Sequence, residues 1–185
     1  MREWGLVCRA NKVNFRANQS FHTLRPINKI QILIGVIGLL FGSLVYLVDR
    51  PPDQTYFVYS SGVKISLYST FPILFGLIGN SLPAFIHVLS FILITAGLVS
   101  YQKRGYLIIC LCWLLVDSAF ELGQKFTALS SKMIPDWFAG LPLLENTEGF
   151  FLQGTFDFLD LAAIALGSII AYFVLVATNK RRVNV

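Results

Sequence analysis

Charge is what this chain has least of. Asp, Glu, Lys and Arg make up 14% of its 185 residues while hydrophobic side chains make up 55%, and the mean hydropathy is +0.65. A soluble domain carries about a quarter charged residues, so this balance excludes that class and indicates an integral membrane protein. Cysteine is scarce as well. Cys8, Cys110 and Cys112 supply neither an even secretory framework nor a Cys-x-x-Cys pair, and residues two apart on a helix do not share a face. That excludes a disulfide scaffold and gives no reason to expect a metal or redox centre. A nucleophile in a recognisable setting is also missing, since Ser81, Ser90 and Ser118 stand in no elbow or triad spacing. No cofactor is expected, and the balance leans against an enzyme.

What the chain has in abundance is long apolar runs. Crossing a hydrocarbon core takes about 20 apolar residues. Residues 30–48 contain no charge and satisfy this. The long basic lead before them, with no small-x-small cleavage pattern, argues against a removed signal. Further spans are expected over 83–100, with Pro83 suited to a first helical turn, over 105–124 and over 157–177. Residues 71–79 are apolar but too short to cross, and read as an interfacial or re-entrant approach to the second span. The expected fold is therefore an all-α membrane protein. A four-transmembrane-helix bundle fills 30–178, between a basic N-terminal segment at 1–29 and a basic tail at 179–185.

The net charge of +5 does not point to nucleic acid, because the basic residues cluster beside the apolar runs. Arg2, Arg9, Lys12, Arg16, Arg25 and Lys29 precede the first span, Lys103 and Arg104 separate the second and third, and Lys180, Arg181 and Arg182 follow the fourth. The same segments hold a single acid, Glu3, so the positive-inside rule puts both termini in the cytoplasm and the two long loops outside. The alternation over 55–68, broken by Ser60-Ser61-Gly62, predicts a small β-hairpin in the first outer loop. The second outer loop carries Trp137, Phe138, Phe150 and Phe151, rings suited to the headgroup level. Gly38 with Gly42, and Ala163 with Gly167 and Ala171, mark close helix approaches. Packing within the bundle is the plainer reading, and homodimerisation through the glycine pair is the alternative.

The candidate site comes from ionisable residues at membrane depth, which are costly unless paired or wet. His87, Asp117, Glu121, Asp157 and Asp160, with Gln124 one turn beyond Glu121, are expected at one level near the outer surface. On this reading His87 lies four residues past Pro83, about 6 Å below the outer end of its helix. Each residue also has a structural alternative. Asp157 and Asp160 could cap a helix N-terminus, His87 could be a neutral core histidine, Glu121 could reach water at a helix exit, and Asp117 could link two helices. A histidine among carboxylates can relay protons, hold a divalent cation, or bind a cationic or hydroxyl-rich headgroup, and the metal option lacks a tight local motif here. General acid–base work by Glu121 with His87 stays open.

At these positions the chain resembles the VanZ-like family of small bacterial membrane proteins, named after a glycopeptide-resistance accessory. The similarity covers about residues 83–175. It rests on His87 followed by the run Val88-Leu89-Ser90-Phe91, on Glu121-Leu122-Gly123-Gln124 as a Glu-x-x-Gln helix end, and on Asp157-Phe158-Leu159-Asp160 with Gly167 opening the last helix. The family's arginine before the first aspartate is replaced by Gly154-Thr155, and its asparagine after the second by Ile164. The resemblance implies a divergent member in the bacterial plasma membrane, a cell-envelope accessory whose partners are the lipid bilayer and an envelope lipid or lipid-linked ligand.

Overall fold

The computed structural model describes residues 27–51, 66–71, 73–99, 103–141, 144–145 and 147–183, and all regular structure among them is helical. In chain order the helices are α1 (Lys29–Asp49), α2 (Gly76–Val99), α3 (Lys103–Lys125), the short α4 (Thr127–Met133) and α5 (Thr147–Gln153), and α6 (Phe158–Val183). A 3-10 turn, Asp136–Gly140, separates α4 from α5. Helices α1, α2, α3 and α6 are each long and apolar enough to cross a membrane, so the chain is a multi-pass membrane protein. The hairpin expected over 55–68 lies outside the described residues except for Ser66, Leu67 and Tyr68, which form no strand. The Leu67 N–H donates instead to the Leu47 carbonyl at 2.9 Å. Most of the basic N-terminal segment, residues 1–26, also lies outside.

The one substantial correction concerns α2. It starts at Gly76 rather than Pro83, so residues 76–79 are its first turn and not a separate approach segment. The cause lies on another helix. Asp49, at the end of α1, accepts the Leu74 N–H at 2.9 Å and the Phe75 N–H at 2.8 Å, supplying partners to donors at the entrance of α2. Gly76 makes the entry turn at φ +52°, a left-handed conformation that glycine adopts at low cost. Pro83 is then an interior residue, and Arg50 donates to the neighbouring Asn80 carbonyl at 2.6 Å close to that interruption.

Successive long helices run antiparallel. Asn28 at the start of α1 donates through its N–H to Gly97 near the end of α2, at 2.8 Å, and Gln31 meets Thr178 near the end of α6. At the opposite end, α1 meets the start of α2 and α3 meets the start of α6. Lys29, Lys103 and Arg104 mark the first of these as the basic end; Asp49, Glu121, Asp157 and Asp160 mark the other as the acidic end.

Helix α2 is central. It packs against α1, α6 and α3, whereas α1 and α3 have no substantial contact with each other. The α1–α2 seam is built on glycine: a Cβ added to Gly35 would lie 2.8 Å from the Ser90 carbonyl oxygen, and one at Gly42 would lie 3.2 Å from Ile86. Gly38 faces the Ser90 hydroxyl. The Gly38–Gly42 surface is thus used within the chain. Gly167 lets α6 approach α2 so closely that an added Cβ would stand 2.7 Å from the Phe85 carbonyl oxygen. Between α2, α3 and α6 lies a core that includes Val88, Ile92, Leu93, Tyr106, Ile164 and Leu175. Large apolar residues such as Leu40, Leu115 and Phe173 point outward, the arrangement expected where the solvent is lipid.

Candidate functional site

The six residues singled out from sequence gather towards the acidic end, but in two tiers rather than one. Glu121 is four residues from the end of α3, about 6 Å, and Asp160 is at the third position of α6. Asp117 is one turn deeper than Glu121. His87 is eleven residues into α2, about 16 Å from Gly76 and so near the middle of its helix, where the Pro83 start would have placed it at about 6 Å.

In the outer tier, two carboxyl groups are engaged in starting α6. Asp157 is its N-cap residue and accepts the Leu159 N–H at 2.9 Å, the capping role anticipated as its structural alternative. Glu121, buried on α3, accepts the Asp157 N–H at 2.8 Å. In a capping box that bond would be made by the side chain three residues past the cap, which here is Asp160. Because Glu121 performs it from a neighbouring helix, Asp160 is released. Its carboxyl turns towards Ser81 on α2, within side-chain hydrogen-bonding reach. Even so, Asp160 Oδ1 and Ser81 Oγ are both buried oxygens without an aligned hydrogen-bond partner. Unsatisfied buried oxygens are uncommon and call for an explanation.

Arg50 joins this tier from the end of α1. Its guanidinium lies 4.8 Å from the centre of the Tyr46 ring, donates to Asn80, and acts electrostatically on both Glu121 and Asp160. In sequence Arg50 merely stands just past the first apolar run, and nothing local to it signals membership of a site with Glu121 and Asp160, some seventy and more residues away. Gln124 is half-buried against Gly154, where an added Cβ would come 2.5 Å from the Gln124 amide carbon. Gly154 therefore makes room for Gln124. The junction is completed by the Lys125 ammonium, 4.8 Å and 5.1 Å from the rings of Phe156 and Phe158.

The inner tier is a pair. His87 Nδ1 stands 3.4 Å from Asp117 Oδ2, with the Asp117 side chain buried and that of His87 51% exposed. Phe91 packs on the imidazole at a centroid distance of 4.4 Å and stacks on Trp113 at 4.8 Å, while Trp113 Nε1 donates to Thr95. Among the described residues, no three His, Cys, Asp or Glu side chains are grouped to hold a metal ion. The chain matches no family model, no curated protein and no solved structure.

Proposed function

We infer that this protein is a VanZ-like accessory of the bacterial plasma membrane that binds, without transforming it, the headgroup of a lipid-linked or amphipathic envelope molecule at its acidic end, with both termini in the cytoplasm. The observation that carries the reading is Asp160. Its neighbours Glu121 and Asp157 are held by backbone N–H groups, whereas Asp160 meets no backbone donor and has beside it only the Ser81 hydroxyl, with neither Oδ1 nor that hydroxyl in an aligned hydrogen bond. Asp160 therefore keeps lone pairs that no backbone donor meets, and the complementary ligand brings donors: an amine or several hydroxyl groups. Arg50 supports the family resemblance by bringing a guanidinium to the cluster from α1, where the usual arginine before Asp157 is replaced by Gly154-Thr155.

The test compares Asp160→Asn with wild type for retention of radiolabelled envelope lipids by the purified protein in detergent. Loss of retention at equal membrane abundance is expected. Retention equal to wild type would remove the basis for the proposal. Turnover of the same lipids that is abolished by Glu121→Gln would favour the alternative in which Glu121 acts as a base on a lipid headgroup.

A further inference from the structure

Along α2, His87 is the only exposed residue between Ser81 and Gly97. Its place on the helix explains why. Ile86, Ser90 and Ile94 lie to one side of it and face Gly35, Gly38 and Gly42 of α1, whereas Phe91 and Thr95 lie to the other and meet Trp113 of α3. Because α1 and α3 do not pack together, the strip of α2 between them is open to the surroundings. At 3.6 residues per turn, Asn80, His87 and Leu98 fall on this strip, with Ile94 at its α1 edge. It is a groove with a polar group near its centre and an apolar continuation towards the basic end.

The chemistry of that group can be specified. A carboxylate only accepts, so the contact with Asp117 takes a proton on His87 Nδ1, and the neutral imidazole then presents Nε2 as an acceptor. No other hydrogen bond to this imidazole is made by the described residues. Near the middle of a membrane-crossing helix there is no bulk water to satisfy a half-exposed acceptor, and an unmet polar group in hydrocarbon is costly. The complement is a donor that dissolves in the bilayer. Asp117 behind the ring disfavours an anionic one.

We propose that the α1–α3 groove is a lateral binding site for a membrane lipid bearing a free hydroxyl group, whose O–H donates to His87 Nε2 and whose chain lies along Ile94 and Leu98. The site is distinct from the Asp160 pocket, because Ser81, which meets Asp160 of α6, lies on a different side of α2 from His87.

The full chain in phosphatidylcholine nanodiscs is photolabelled with a long-chain fatty alcohol carrying a mid-chain diazirine, and separately with its methyl ether, which cannot donate. The alcohol is expected to label the α2 strip and Trp113 about five-fold more than the ether, the weight of one hydrogen bond. His87→Ala should abolish the difference while Asp160→Asn leaves it intact. Asp117→Asn, whose amide can donate to Nδ1, moves the proton to Nε2 and should raise labelling by the ether towards that by the alcohol. Equal labelling of wild type by both probes would overturn the proposal, as would an unchanged preference in His87→Ala or crosslinks that join the α2 strips of two chains in place of lipid. Loss of the preference in Asp160→Asn as well would mean that the two sites are one.

Discussion

The two ends of the bundle use polar side chains in opposite ways. At the basic end they close contacts between helices. Gln31, fully buried, donates to the Thr178 hydroxyl at 2.8 Å, Asn28 accepts from the Gln31 N–H, and the Asn28 N–H reaches Gly97; only Gln31 Oε1 is left over. At the acidic end the carboxyl groups of Asp49, Glu121 and Asp157 are turned on backbone N–H groups at the starts of α2 and α6, and Asp160 and Ser81 are left open. Ionisable residues in a membrane are commonly read as functional as a set, but here the structure divides them. A carboxylate that satisfies a helix terminus has a structural reason to be present. One that meets no helix terminus lacks that reason.

This contrast can be broken in graded steps. The largest effect is expected at Asp49. Asp49→Ala removes the acceptor from two N–H groups and should cost about 2–4 kcal/mol, seen as a lower melting temperature in detergent, with Asp49→Asn recovering about half. Glu121→Ala leaves the Asp157 N–H without its partner and should cost about 1–3 kcal/mol, whereas Glu121→Gln keeps an acceptor and should melt close to wild type. If both variants melt alike, Glu121 is not a cap. At the basic end, Gln31→Leu should cost about 1 kcal/mol without any change in lipid retention. The smallest stability effect belongs to Asp160→Asn, within about 0.5 kcal/mol of wild type, paired with the largest loss of ligand. A melting point lowered as far as that of Glu121→Ala would show that Asp160 is structural and would erase the distinction between the two kinds of carboxylate.

The four spans were legible because lipid imposes a demand that a single segment must meet by itself. An uninterrupted apolar run can be read without knowing its neighbours, and the α1 and α3 boundaries fall within two residues of those expected. What could not be read was anything settled between segments. Pro83 looked like a helix start, and would have been one had Asp49 not reached across from α1 to the donors at residues 74 and 75. His87 therefore sits deeper than its distance from Pro83 implied. Asp160 and Glu121 were equivalent in sequence terms, each a carboxyl near a helix end. Which of them would receive the Asp157 N–H depended on the approach of α3 to α6, where Gly154 seats the segment before α6 against Gln124 at the end of α3.

The grip of Asp49 and Arg50 on the start of α2, matched at the other end by the Asn28–Gly97 bond, has a kinetic side. Helices α1 and α2 are fastened at both ends, with a glycine seam between the fastenings. Such a pair can form as soon as residue 99 has entered the membrane, before α3 and α6 exist to receive it, because every one of these contacts lies within residues 28–99. The prediction is an assembly in which a finished helical pair acts as the template on which the second half of the chain is laid down. Hydrogen exchange would reveal it as joint, late opening of the α1 and α2 amides, and independent opening of the two helices would refute it.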